Sequence, residues 1–174
     1  MMEVEAKIAL DDIQAQALRG FLGTPKAWHA QRDVYLATAG LPVALRVRQD
    51  DERAWVTLKS GFSQVGGIKV REEIEPTILP EEVPAWLKLF EHLGLPRGIE
   101  VAKRRAEYEL MDGVHVLIDE VEGLGTFAEV EALAEDGHAA VAKLETAIAN
   151  LGLDGLPRIE ESYRELVAKK MGLA

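Results

Sequence analysis

The chain has 174 residues, a net charge of -10 and no cysteine. Its length and 48% hydrophobic content predict a single folded domain over residues 1–174. The acidic balance argues against nucleic-acid binding. The lack of cysteine excludes disulfides and thiolate metal sites, and no apolar run is long enough for a membrane span. The first residues also lack the basic and apolar regions of a signal peptide. We therefore expect a cytoplasmic protein.

Hydrophobic periodicity and turn residues predict eight strands and four helices. The predicted strands are residues 2–10, 31–37, 43–48, 54–60, 68–75, 98–110, 114–121 and 126–133. The predicted helices are residues 12–22, 80–93, 137–151 and 159–170. Residues 61–67 contain three glycines and are expected to form a loop, and residues 112–113 a hairpin turn. The short connections predict an α+β fold, an eight-stranded antiparallel β-barrel with helices packed outside.

Charged residues alternate with apolar ones along most of these strands. Side chains two apart share one face of a strand, so Glu3, Glu5 and Lys7 lie on one face and Val4 and Ile8 on the other. One such face is typical of a solvated strand, but its repetition predicts a charged barrel interior. The apolar residues expected to face outward, onto the helices, are Val4, Ile8, Leu45, Val47, Val56, Leu58, Val70 and Ile74.

The inward charges comprise both signs. The acids are Glu3, Glu5, Glu73, Glu75, Asp119, Glu129 and Glu131, and the bases are Lys7, Arg46, Arg48, Lys59, Arg71, Lys103 and Arg105. Buried charges must be paired, hydrated or bound to a ligand. Carboxylates without histidine or cysteine suit Mg²⁺ or Mn²⁺, whereas arginine and lysine suit phosphate oxygens. Together they predict a wet tunnel that binds a polyanion and a divalent metal, where a water can attack phosphorus. Trp28, Trp55 and Trp86 are expected to pack in the core, and stacking of Trp28 or Trp55 on a substrate ring is the alternative.

An ordered set of segments resembles the CYTH domain family of the triphosphate tunnel metalloenzymes. Residues 3–7, Glu3-Val4-Glu5-Ala6-Lys7, are similar to the family signature E-x-E-x-K. The other matching segments are Asp33-Val34-Tyr35, Leu45-Arg46-Val47-Arg48, Trp55-Val56-Thr57-Leu58-Lys59, Arg71-Glu72-Glu73-Ile74-Glu75, Lys103-Arg104-Arg105, residues 119–131 and Ser162-Tyr163. The resemblance implies a tunnel fold and metal-dependent hydrolysis or cyclisation of a triphosphate.

The resemblance also implies roles for individual residues. The metal ligands would be Glu3, Glu5, Asp119, Glu129 and Glu131. The substrate-binding residues would be Lys7, Arg46, Arg48, Lys59, Arg71, Lys103 and Arg105. The catalytic residues would be Lys7, Glu73, Glu75 and Asp119, with one acid of the central strand orienting water. A base near the end of the chain, Lys169 or Lys170, would help to bind phosphate.

The tunnel segments are shared by inorganic triphosphatases, thiamine-triphosphatases and class IV adenylate cyclases. No residue set in the chain identifies adenine or a thiazolium ring, so inorganic triphosphate is the preferred substrate. A thiamine-triphosphatase, and an adenylate cyclase that forms cyclic AMP and pyrophosphate, remain alternatives. A polyphosphate-binding module is the non-enzyme alternative, which the acidic set disfavours because binding alone needs mainly the bases. The sequence leaves a homodimer open.

Overall fold

The computed structural model describes residues 2–38, 40–111 and 113–173. Within these residues the strands are β1 (Met2–Leu10), β2 (Ala27–Leu36), β3 (Ala44–Gln49), β4 (Ala54–Val65), β5 (Ile68–Ile74), β6 (Thr77–Ile78), β7 (Arg97–Met111), β8 (Val114–Val121) and β9 (Gly125–Ala134). The helices are α1 (Asp12–Leu22), α2 (Val83–His92), α3 (Gly137–Asn150) and α4 (Tyr163–Lys170), and a 3-10 turn, Pro80–Glu82, precedes α2. No helix in the described part of the chain is both long and apolar enough to cross a membrane.

The long strands form a closed antiparallel barrel. Neighbouring strands follow the order β3-β2-β7-β8-β9-β1-β5-β4, and pairing of β3 with β4 closes the ring. The two-residue β6 only extends β4 at its start. The predicted α+β fold, an eight-stranded antiparallel barrel with four helices outside, is therefore confirmed for the described residues.

Two local predictions were wrong. Residues 61–67 are not a loop, because β4 continues to Val65 through an irregularity between Ser60 and Ser63 and pairs with β5. Only Gly66 and Gly67 form the turn, both with positive φ that glycine adopts without strain. The last helix starts at Tyr163 rather than near residue 159. The segment before it is extended, since the Ile159 amide donates to the Lys7 carbonyl at 2.8 Å. The predicted turn residue 112 lies outside the described residues.

Apolar residues pack between the barrel and the helices. Val4, Ala6 and Ile8 of β1 are fully buried against α3, which contributes Leu144 and Ile148. Burying each large aliphatic side chain stabilises the fold by about 1.5–3 kcal/mol. A second cluster joins α2 to β3 and β4. One outward prediction needs correction, because Ile74, the last residue of β5, is 52% exposed. Leu58 is partly buried against the second cluster, as predicted.

Candidate active site

The barrel interior holds a cavity of about 280 Å³ lined mainly by charged side chains. Every interior residue predicted from the alternation lines it, except Asp119. The bases around it are Lys7, Arg46, Arg48, Lys59, Arg71, Lys103 and Arg105, and the acids are Glu3, Glu5, Glu73, Glu75, Glu129 and Glu131. The structure therefore brings these groups together in one space rather than on separate solvent faces.

Strand register explains why the charges converge. The odd-numbered positions of β1 face inward, and the register sets Glu3 opposite Arg71 on β5 and Lys7 opposite Glu129 on β9. Unlike charges at facing positions attract each other across a strand pair. Glu5 and Glu131 also face each other. Because both are acids, their repulsion destabilises the empty cavity.

Two acids of β1 are held by bases of β4 and β5. The Lys59 ammonium donates to both Glu3 carboxylate oxygens at 2.5 and 2.6 Å. The Arg71 guanidinium donates to Glu3 Oε2 at 3.1 Å and to Glu5 Oε2 at 2.9 Å. The other Glu5 oxygen, Oε1, is buried without a hydrogen-bond partner. That oxygen lies 3.6 Å from the Lys7 ammonium and 3.8 Å from the Lys69 ammonium, so Glu5 is paired through both of its oxygens.

Asp119 lies behind the cavity wall. It has no exposed surface, accepts from the Arg105 Nε and Nη2 groups at 2.7 and 2.6 Å, and accepts from Lys103 at 2.9 Å. Arg105 also donates to Glu129 Oε2 at 2.5 Å. Although burial alone would raise it, the neighbouring Arg105 and Lys103 lower the pKa of Asp119. In the structure Asp119 orients two bases, and its role as metal ligand or catalytic group stays a prediction.

A second buried acid anchors the arginines of β3. Asp33 is 1% exposed and accepts two hydrogen bonds from Arg48, at 2.7 and 2.8 Å, in a bidentate pair. Arg46 approaches the same carboxylate at 3.4 Å and Glu75 at 3.7 Å. Although burial opposes ionisation, Arg48 and Arg46 hold the pKa of Asp33 well below its usual range.

Two cavity groups have pKa values near neutrality. Burial raises the pKa of Glu131 to about 8, and the nearby Glu3 and Glu129 charges add to this while Arg105 opposes it. Glu131 is the one predicted metal ligand with no ion pair among the described residues. Burial also lowers the pKa of Lys103 to about 8, helped by the Arg105 charge. The charge of the cavity can therefore change within the physiological pH range.

The donor chemistry of the cavity fits a hard divalent cation. Its acids offer only carboxylate oxygens, the ligands that Mg²⁺ and Mn²⁺ prefer. Glu131 has no ion pair among the described residues, and Glu5 Oε1 has only long contacts, to Lys7 at 3.6 Å and to Lys69 at 3.8 Å. Within the described residues, no three acidic or histidine side chains are close enough to coordinate one ion. Lys59, Arg71 and Arg105 hold the remaining carboxylates, so a cation would have to displace some of these bases.

Several lining residues were missed by sequence reasoning. Lys69 lies opposite Glu5 on β5 and is 3% exposed; its position two residues before Arg71 was the available signal. Tyr163 and Arg164, at the start of α4, also line the cavity. The predicted base near the end of the chain is not there. Lys169 pairs with Glu161 at 3.7 Å and the Lys170 ammonium donates to the Gly123 carbonyl, and neither lines the cavity.

The packing prediction was wrong for Trp28 and Trp55 and is confirmed for Trp86, which packs against the second cluster. Trp28 is 47% exposed and lies against Arg104 on the outer surface. Trp55 lines the cavity, with the Arg53 guanidinium 5.1 Å from its ring centroid. Both follow from strand register, which sets Trp28 opposite Ala106 on the outer face and Trp55 opposite Arg48 on the inner one. Neither tryptophan belongs to the packed core.

Comparisons with known proteins agree with this fold and cavity. The chain is 32% identical over 181 aligned positions to MJ0240 of Methanocaldococcus jannaschii, a protein named as a putative adenylate cyclase, and the alignment covers 95% of this chain and 98% of that protein. The PH1819 protein from Pyrococcus horikoshii OT3 has a similar structure, with a TM-score of 0.81 and 26% identity over 97% of this chain and 99% of that one.

A further solved structure shares the same fold at lower sequence identity. HpAC1 from Hippeastrum, described as having a dominant triphosphatase activity, superposes with a TM-score of 0.71 and 20% identity over 99% of this chain and 96% of that one. The family model of the CYTH domain matches residues 1–163, which include every strand of the barrel. The closed barrel, its charged interior and this match establish that the chain belongs to the CYTH family.

Proposed function

We propose that residues 1–174 form one catalytic domain that hydrolyses triphosphates with the help of Mg²⁺ or Mn²⁺, with inorganic triphosphate as the preferred substrate. The observation that supports this most is the set of seven predicted bases around one cavity. Arginine forks and lysine ammonium groups are suited to phosphate oxygens. Their alternation with carboxylates keeps the empty cavity close to charge balance.

The bases would bind the polyanion by exchanging carboxylate partners for phosphate oxygens. Lys59 and Arg71 now donate to Glu3, and Arg46 has only long contacts to acids, at 3.4 and 3.7 Å. Arg46 can therefore turn to a ligand at the smallest cost. Arg48 and Arg105 stay fixed by Asp33 and Asp119, so they present a rigid wall to the phosphate chain.

Movement of Lys59 and Arg71 to the substrate, and loss of the Arg105 contact to Glu129 while its pair with Asp119 remains, would free carboxylates for a metal. Glu3, Glu5, Glu129 and Glu131 would then hold the cation, which would neutralise phosphate charge and lower the pKa of a bound water. Glu73 and Glu75 line the same cavity and would orient the attacking water. The water oxygen would form a bond to the terminal phosphorus, and the bridging P–O bond would break so that pyrophosphate leaves. The proton of the water would pass to a carboxylate.

A second candidate is an adenylate cyclase or another enzyme acting on an organic triphosphate. The specific observation in its favour is Trp55, whose ring lines the cavity beside Arg53 and could stack on a heterocycle. A cyclase must also hold the ribose 3′-hydroxyl in line with the α-phosphorus. Trp55→Leu should raise KM for ATP and leave KM for inorganic triphosphate unchanged if this candidate is correct.

Initial rates with inorganic triphosphate, ATP and thiamine triphosphate, each with Mg²⁺, with Mn²⁺ and with EDTA, test the proposal. We expect kcat/KM for inorganic triphosphate to exceed that for ATP at least about tenfold, a difference of roughly 1.4 kcal/mol in transition-state binding. The products should be orthophosphate and pyrophosphate. Cyclic AMP as the main product from ATP, formed as fast as triphosphate is hydrolysed, would favour the cyclase instead. Binding of triphosphate without turnover would favour the polyphosphate-binding module.

A further inference from the structure

We infer that Tyr163 is a positioning residue of the tunnel, and that its ring holds the ammonium groups of Lys7 and Lys103 where they meet phosphate. The Lys7 Nζ atom lies 4.1 Å from the ring centroid, and the Lys103 Nζ atom lies 5.1 Å from it. Both distances are within the range of about 6 Å in which an aromatic ring attracts a cation. This inference rests on the proposed function, since it concerns how the tunnel binds a triphosphate.

The ring itself is held from outside the cavity. Tyr163 is the first residue of α4, and the Ser162 side chain caps that helix by accepting from the Glu165 amide. The Phe127 ring meets the Tyr163 ring edge to face, with centroids 5.2 Å apart. Val101, Val121 and other apolar residues pack around the same ring, which is 4% exposed. Tyr163 is therefore a fixed surface rather than a mobile side chain.

The ring adds a contact to the ion pairs of the two lysines without neutralising their charge. Lys7 is 3.4 Å from Glu129 and 3.6 Å from Glu5, both long for an ion pair, and it donates to the Glu161 carbonyl at 3.2 Å. A ring face and a carbonyl orient an ammonium group but leave its full charge for a ligand. Lys103 is more tightly held, by Asp119 at 2.9 Å.

The ring face of Tyr163, rather than its hydroxyl, contacts the two ammonium groups. The Tyr163 hydroxyl lies close to the Asp119 carboxylate, but it makes no hydrogen bond of good geometry among the described residues. Burial, with the nearby Glu129 and Asp119 charges, raises the pKa of Tyr163 well above its ordinary value, so the phenol stays neutral. The Ser-Tyr pair that resembles the family pattern thus brings to the tunnel an aromatic surface for two bases.

The test compares Tyr163→Leu, Tyr163→Phe and the control Tyr108→Leu. Tyr108 is also 4% exposed but packs in the cluster outside the barrel, with Ala106 and Val116. No lysine or arginine lies over its ring among the described residues. Metal-free calorimetry gives Kd for inorganic triphosphate, and phosphate release gives KM and kcat. We expect Tyr163→Leu to raise Kd and KM about tenfold or more, Tyr163→Phe to stay within about threefold, and Tyr108→Leu to change neither.

Changing the electron density of the ring without changing its shape distinguishes a positioning role of Tyr163 from a packing role. This test also works if Tyr163→Leu fails to fold. Phenylalanine, trifluorophenylalanine and pentafluorophenylalanine at position 163 have similar shapes but a progressively weaker negative ring face, so Kd should rise along this series. An unchanged Kd along this series, or equal effects of Tyr163→Leu and Tyr108→Leu, would overturn the inference. If the wild-type protein still hydrolyses triphosphate, the proposed function is unaffected by that result. A wild-type protein that neither binds nor hydrolyses triphosphate would overturn the proposed function itself.

Discussion

Replacing Arg48 by methionine should destabilise the protein far more than replacing Arg46, although both arginines lie on β3 and line the same cavity. Arg48 makes the bidentate pair with Asp33, at 2.7 and 2.8 Å. Removing one partner of a buried pair leaves an uncompensated charge and costs about 3–5 kcal/mol. Loss of Arg46 leaves that pair intact and removes two long contacts, of which only the one to Asp33 is a hydrogen bond, so we expect about 1.5 kcal/mol or less, the typical net value of one hydrogen bond.

A double-mutant cycle isolates the pair itself. In Arg48→Met/Asp33→Asn both charges are gone, so the combined loss should be smaller than the sum of the two single losses by about 2 kcal/mol. Free energies of unfolding come from urea denaturation in EDTA at pH 7.5, with m-values compared to confirm that each variant unfolds from a similar native state. Equal destabilisation by Arg48→Met and Arg46→Met, or strict additivity in the cycle, would refute the assignment of Arg48 and Asp33 as a structural pair.

Three further predictions concern charge and metal in the cavity. Because the pKa of Glu131 is raised from 4.5 to about 8, the folded protein binds more protons than the unfolded one between these values. Its stability should fall as pH rises through that window, and Glu131→Gln should flatten the dependence of Tm on pH in EDTA; an unchanged slope would contradict this. Glu129→Gln should abolish Mg²⁺- and Mn²⁺-dependent phosphate release while circular dichroism shows a retained fold, and wild-type rates would rule out Glu129 as a required ligand. Because the pKa of Lys103 is lowered to about 8, its charge is lost as pH rises through that value. Metal-free triphosphate affinity should then weaken from pH 7 to pH 9, and less so in Lys103→Arg, whose charge persists; parallel profiles for the two proteins would argue against a phosphate contact from Lys103.

The sequence predicted the barrel and its charged interior because both follow from alternation along strands. In a β-strand every second side chain points to the same face, so Glu3, Lys59 and Arg71 could be placed inside the barrel before any contact was known. The family resemblance added the order of the segments and the expected chemistry. The closed ring itself depends on pairing between β3 and β4, which short hairpin connections indicate.

The pairing of individual charges could not be predicted from the alternation. Arg46 and Arg48 have the same local pattern, yet only Arg48 meets Asp33 in bidentate geometry, because register sets Asp33 directly opposite Arg48. The role of Asp119 as an orienting acid behind the wall likewise depends on contacts between distant segments. The start of α4 at Tyr163 had a local signal that was missed, the capping box of Ser162 and Glu165. The extended residues before α4 pair with β1, and no local periodicity signals such a contact.

The central claim is that this cavity hydrolyses the terminal phosphoanhydride bond of a triphosphate in a metal-dependent way. Phosphorus-31 NMR of inorganic triphosphate mixed with the wild-type protein tests it most directly, because substrate and both products give separate signals. We predict conversion to equal amounts of orthophosphate and pyrophosphate with Mg²⁺ or Mn²⁺, and none when EDTA replaces the metal. An unchanged triphosphate spectrum with either metal, from protein shown to be folded, would contradict the account.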